Sequence, residues 1–197
     1  MSNDGVNNGR RRFLVAATSI VGAAGAVGVA VPFVGSWFPS AKAKAAGAPV
    51  RVNIGKLEAG QQIIAEWRGQ PVFVSRRTPE ALAILEENVS ILADAESESS
   101  DQPAYVDQHT RAIRPEILVV MGICTHLGCS PLFIPEVAAA SMGNEWQGGY
   151  FCPCHSSRYD MAGRVFRGQP APLNLPVPPH AYETDEIIVI GLDEESV

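Results

Sequence analysis

Apolar and polar positions divide the chain into two unequal parts. No charged residue occurs between Phe13 and Ala41, a run longer than the roughly 20 apolar residues that cross a bilayer core, so one transmembrane helix is expected over residues 13–39. Residues 40–49, SAKAKAAGAP, are small and poor in core-forming side chains, the composition of a flexible hinge linker. Beyond it the apolar runs shorten. Residues 50–54, 62–67 and 71–76 are rich in Val, Ile and aromatics and are separated by Gly60 and by Gly69-Gln70, which predicts antiparallel strands. TPEALAILEE at 78–87 has a capping threonine, a proline in the first turn and aliphatic residues on one helical face, the pattern of a helix. It is the one helix expected outside the membrane. EILVVMG at 116–122 is the strongest strand of the body, and residues 149–151, 164–167 and 186–191 continue the pattern. Residues 136–148 read as a surface excursion with a short helical turn.

Charge adds a direction to this layout. From Ala45 onward there are 10 Lys and Arg against 20 Asp and Glu, so the body is strongly acidic and a nucleic-acid role is excluded. The remaining bases, Arg10, Arg11, Arg12, Lys42 and Lys44, bracket the apolar run. Three arginines before a span stay on the cytoplasmic side, which puts the body on the periplasmic face of a bacterial inner membrane. RRRFL at 10–14 also has the form of a twin-arginine export signal, with Arg10 and Arg11 as the pair in a cytoplasmic segment of residues 1–12. Such export suits a protein that folds around a cofactor before it is moved. The Ala-Lys-Ala triplets at 41–45 resemble cleavage sites, but the apolar run is long for a removed signal, and retention as an anchor is the expectation. DAESESSD at 94–101 reads as a solvated acidic loop without metal-site organisation.

Candidate chemistry lies in two short boxes. All four cysteines fall in CTHLGC (Cys124, His126, Cys129) and CPCHSS (Cys152, Cys154, His155), and such clustering argues for a metal site before a disulfide scaffold. Taken alone, the first box also suits a zinc module. His109 and His180 lie outside the boxes and are expected to be solvated surface histidines.

With its arginine-led anchor, Ala-rich linker, CTHLGC, CPCHSSRYD and GQPAPLNLPVP, nearly the whole chain resembles the Rieske iron-sulfur subunits of quinol-cytochrome c oxidoreductases. That resemblance implies an all-β Rieske-type antiparallel sandwich at residues 50–197, with an inserted cluster-binding subdomain at about 122–174. One 2Fe-2S cluster is implied, with Cys124 and Cys152 on one iron, His126 and His155 on the other, and a Cys129–Cys154 disulfide beside it. Replacing two thiolates by imidazoles raises the potential of such a centre. Ser157 and Tyr159 match the family's hydroxyl donors to sulfur, which tune the potential in the same direction; Leu127 matches the residue that shields the cluster tip. His155 takes the place of the quinol-facing proton acceptor. Implied partners are ubiquinol, a cytochrome b subunit and a c-type cytochrome subunit, with the linker as the hinge between donor and acceptor positions. Residues 168–172, GQPAP, match the loop that covers the cluster.

One position departs from the family pattern: Ser156 stands where the family has glycine. A left-handed backbone there would cost a serine about 1 kcal/mol and threaten the Ser157 hydrogen bond. Two iron-sulfur rivals are weaker. The Rieske subunit of a periplasmic oxidase such as arsenite oxidase shares the export signal, but the retained anchor and the Ser157-Tyr159 pair favour the quinol enzyme. Ring-hydroxylating ferredoxins are generally cytoplasmic and lack the second cysteine pair.

Overall fold

The uninterrupted apolar run at residues 117–121 needs cover on both of its faces, and the body of the protein is arranged to supply it. The computed structural model describes residues 5–41, 43 and 47–192. The chain divides into two units, residues 1–45 and 46–197.

In the second unit, three antiparallel sheets of three strands are formed among the described residues. The first sheet has the order β1 (Val50–Asn53), β9 (Ile187–Ile190), β8 (His180–Thr184). The second runs β2 (Gln62–Trp67), β3 (Gln70–Arg76), β4 (Ile117–Met121), and the third β5 (Leu132–Ile134), β6 (Gly149–Phe151), β7 (Arg158–Tyr159). All five residues of β4 are buried. Strand alternation sends Ile117, Val119 and Met121, with Val72 and Val74 of β3, into one core against Val52, Ile188 and Ile190. The intervening Leu118, Val120 and Phe73 enter a second core with Tyr150, Tyr159, Cys124 and Cys152. Two-sided burial explains why β4 reads as a continuous hydrophobic run. It also mounts the cysteine boxes directly on the middle sheet.

Local chemistry accounts for the connections. Arg68 and Gly69 both have positive φ, 54° and 73°, and link β2 to β3 as a two-residue primed turn; Gln70 therefore pairs with Trp67 inside the ladder rather than serving as loop. Helix α2 (Pro79–Glu87) starts where the Thr78 hydroxyl accepts the Ala81 N–H at 3.1 Å. Its Ala81 and Leu85 pack on Met161 and Ala162. A 3-10 turn, Asn88–Ile91, continues it.

Several expectations change. β5, β7 and β8 are too short or too mixed in composition to show a period. Residues 164–167 are not a strand; Val165 and Phe166 make single bridges to Tyr159 and Leu92. Residues 136–148 include the expected helical turn, with Gly143 N–H donating to Ala139 O at 3.0 Å, but Trp146 is buried there, donating Nε1–H to the Ile134 carbonyl at 3.1 Å. The acidic stretch is organised: Asp94 accepts the N–H groups of Glu98 and Ser99 and the Ser100 hydroxyl. Ser97 meets the buried Asn174 amide. His109 is exposed, 3.4 Å from Glu96. His180 corrects the sequence reading: it is 1% exposed, with Nδ1 2.9 Å from the Pro178 carbonyl. Its place at the start of β8, over the Tyr105 ring, takes it out of solvent.

The first unit contains α1 (Asn8–Gly35), 28 residues with a mean hydropathy of 2.1 in its apolar window. At about 1.5 Å per residue it exceeds the thickness of a bilayer core. It begins earlier than residue 13 because the Asn7 side chain accepts the Arg10 N–H at 3.1 Å, capping a first turn that includes the arginines. Trp37 and Phe38 follow its end, the position at which aromatics flank a membrane span. Linker residues 40–49 lie partly outside the described residues.

Candidate metal centre

Both boxes are tight loops closed by their own backbone. β4 delivers the chain to Gly122, where a Cβ would stand 2.5 Å from the Phe73 ring, so only glycine passes between strand and box. In the first box Gly128 N–H donates to Cys124 O at 3.0 Å and Cys124 N–H to Cys129 O at 2.8 Å. Leu127 is left at the tip, 71% exposed. In the second, Cys152 N–H donates to Ser157 O at 2.8 Å and Ser156 N–H to Cys152 O at 2.9 Å, closing the β6–β7 connection.

The structure divides the four cysteines into two pairs. Cys129 and Cys154 are joined as a disulfide with Cα atoms 6.6 Å apart, tying one loop to the other. Cys124 and Cys152 are free thiols, both buried. Burial pushes the Cys152 thiol up from its ordinary pKa, and the neighbouring Cys124 adds to this, while the N–H groups of Cys154 and His155 draw it back. The rings of His126 and His155 meet edge to face, centroids 4.6 Å apart. His155 is exposed and His126 half-buried.

These residues fit a 2Fe-2S group of Rieske type. His126 Nδ1 is enclosed without a hydrogen-bond partner among the described residues, and an enclosed ring nitrogen without a partner is costly unless something coordinates it. The Sγ atoms of Cys129, Cys152 and Cys154 lie within 4.8 Å of one another, but the disulfide removes two of them as ligands. Two free thiols and two imidazoles remain, the donor set of a Rieske centre.

Hydroxyl groups surround this donor set. Tyr159, fully buried, has its hydroxyl 3.2 Å from Cys124 Sγ. Burial, reinforced by Cys124, raises its pKa far above the usual phenol value, so it remains a protonated donor. The same oxygen accepts the Thr125 N–H at 3.3 Å. Ser157 is fully buried and accepts the Ala171 N–H at 3.1 Å, which leaves its own hydrogen free to donate.

Residues 168–174 are fastened across the site. Besides Ser157, the Thr125 hydroxyl donates to Leu173 O at 2.7 Å and Gln169 Oε1 accepts the Arg158 N–H at 3.1 Å. The buried Asn174 accepts from Val165 N–H and donates to Asp94 O. Thr125, Gln169 and Asn174 carry no sequence signal beyond lying in or beside the motifs, because each acts through a backbone group contributed by a distant segment.

Ser156 has φ +64°, so its backbone is left-handed. Ser157 nevertheless accepts the Ala171 N–H at 3.1 Å. We expect Ser156→Gly to stabilise the folded protein by about 0.5 kcal/mol, since relief of left-handed strain exceeds the extra freedom glycine gives the unfolded chain. Guanidinium unfolding measures this, and a loss of stability would contradict it.

Comparison with known proteins bears on the same residues. The Rieske [2Fe-2S] domain family matches residues 55–179, and the ubiquitinol-cytochrome C reductase Fe-S subunit TAT signal family matches residues 1–40. A ubiquinol-cytochrome c reductase iron-sulfur subunit of Allochromatium vinosum is 55% identical over 196 residues, covering 100% of this chain and 95% of that protein. Proteins with the same name from Bradyrhizobium diazoefficiens and Blastochloris viridis are each 41% identical, over 92% and 96% of this chain and 94% and 97% of their own lengths.

Proposed function

This chain belongs to the Rieske iron-sulfur family, and from that premise we infer that it is the redox subunit of a quinol-cytochrome c oxidoreductase. In that role it takes one electron, with proton transfer, from ubiquinol and passes it to a c-type cytochrome, contributing to respiratory proton translocation. The observation that carries the reading is the pairing of two buried free thiols, Cys124 and Cys152, with two histidines in ring contact, one of them exposed. Cys124, His126, Cys152 and His155 hold the cluster. When bound, the cluster supplies reversible one-electron chemistry at a potential raised by neutral imidazole ligands.

The chain's own groups do the rest. His155, exposed and in ring contact with His126, hydrogen-bonds the quinol hydroxyl through its outward ring nitrogen and receives the proton there. Leu127, with the loop at 168–174, keeps water from the remainder of the site. Tyr159 and Ser157 donate to sulfur and favour the reduced state. The Cys129–Cys154 disulfide holds the two loops together through the cycle.

The apolar helix anchors the subunit in the membrane. The arginines before it put the body on the periplasmic side of the inner membrane, where a cytochrome b subunit presents quinol and a c-type cytochrome takes the electron. One site cannot touch both partners at once, and the linker at 40–49 serves as the hinge between them. Because proton and electron are taken up together, the midpoint potential should fall as pH rises through the alkaline range. A redox titration followed by electron paramagnetic resonance, on protein co-purified with b- and c-type cytochromes, checks this. A flat response would sink the proton-acceptor role of His155.

A further inference from the structure

Three buried guanidinium groups converge on the turn that follows Tyr159. Arg77, Arg111 and Arg164 are at most 2% exposed, and Asp160, itself 1% exposed, is the buried carboxylate among them. Arg164 pairs with Asp160 at 2.8 Å and donates to Leu85 O at 2.7 Å. Asp160 in turn accepts the N–H groups of Ala162 and Arg164, each at 2.9 Å. Arg77, just beyond β3, reaches Met161 O at 3.3 Å while held by the Pro115 and Thr110 carbonyls at 2.8 and 2.7 Å. Arg111 reaches the carbonyls of Ala162 and Gly163 at 3.2 and 3.5 Å, with its Nε held by Gln102 Oε1 at 3.0 Å. Every residue of the turn 160–163 is therefore gripped by a guanidinium.

Stability is a weak reason for this arrangement. Buried cations are costly, and apolar residues of similar volume often serve the fold equally well. Burial brings Arg77 and Arg111 down to about 10, so both still carry charge and a full set of donors at neutral pH. What the turn does position is Tyr159, the residue immediately before it. Its hydroxyl must stay within hydrogen-bond range of Cys124 Sγ, a bond whose strength falls steeply with misalignment.

We propose that Arg77, Arg111 and Arg164 are positioning residues that hold the Tyr159 hydroxyl on Cys124 Sγ and thereby set the reduction potential of the centre. The proposal rests on the site reading above, in which Cys124 is a ligand. A guanidinium fork is required because a lysine supplies the same charge without two directed donors to separate acceptors. A role in positioning is thus separable from through-space charge.

The test is a double-mutant cycle on the full chain in its assembled complex, with midpoint potentials read by redox titration and electron paramagnetic resonance. Tyr159→Phe lowers the potential. Arg111→Lys lowers it by a large part of the same shift, and adds nothing in the Tyr159→Phe background. An unchanged potential in Arg111→Lys, with Tyr159→Phe lowered, overturns the clamp and leaves the site reading intact. A shift that persists in the Tyr159→Phe background assigns the effect to charge or solvation and also overturns it. If Tyr159→Phe leaves the potential unmoved while the cluster signal is retained, the clamp is overturned and Cys124 stands as a ligand. Should Arg111→Lys fail to assemble, Gln102→Ala removes the acceptor of Arg111 Nε from its half-buried end, and the same cycle applies with a smaller shift in the same direction.

Discussion

A chain carrying Cys152→Ser holds no cluster: the visible absorption and the paramagnetic signal of the reduced centre disappear, and quinol-dependent cytochrome c reduction falls to background. The reason lies in how the structure divides the cysteines. Cys152 is buried and unpaired, and a serine oxygen in its place offers neither thiolate charge nor sulfur softness. Cys124→Ser should behave identically. The neighbouring Cys154, two residues away, should not, because its sulfur is committed to Cys129. Retention of a full cluster signal in Cys152→Ser would show that the ligands have been assigned to the wrong cysteines.

Breaking the disulfide should leave the ligand set in place and remove its support. Cys129→Ser and Cys154→Ser each open a loop with a sequence separation of 25, for which the chain-entropy relation gives about 3.5 kcal/mol. Across a body of this size that corresponds to a fall of roughly 10 °C in unfolding temperature. The cluster chromophore should form and then be lost at a lower temperature than in the parent. Since both substitutions break one bond, the double variant should be no worse than either single one. Additive losses would mean that each cysteine acts separately, against a shared bond between the loops.

The middle sheet was readable because its strands are long and strongly patterned: 62–67, 71–76 and 116–122 differ from the observed strands by at most one residue at either end. β7 has two residues and β5 three, lengths at which no period can be counted. Residues 164–167 have the composition of a strand but lie against Tyr159 and Leu92 by single bridges, so propensity gave way to the docking of the turn before them. His180 was misread for a similar reason. A histidine between Pro179 and Ala181 carries no local sign that Tyr105, 75 residues earlier, will bond to its backbone.

At the centre itself, residue types and spacing were sufficient to point to a metal site, and with the wider motif match to a two-thiolate, two-imidazole donor set. The apolar anchor and its arginines were equally plain, since a bilayer reads length and charge along the chain. Four properties belonged to the tertiary structure alone. It buried Cys124 and Cys152 while joining the cysteine pair that the motif match had named, enclosed His126 Nδ1 while exposing His155, and seated Ser157 on Ala171 despite the left-handed Ser156. It also gathered three arginines from positions 77, 111 and 164 around one turn. Each depends on which distant segments meet and which atoms lose water when they do. Ligand chemistry is written in residue identity, whereas pairing, burial and alignment exist only once the chain has closed on itself.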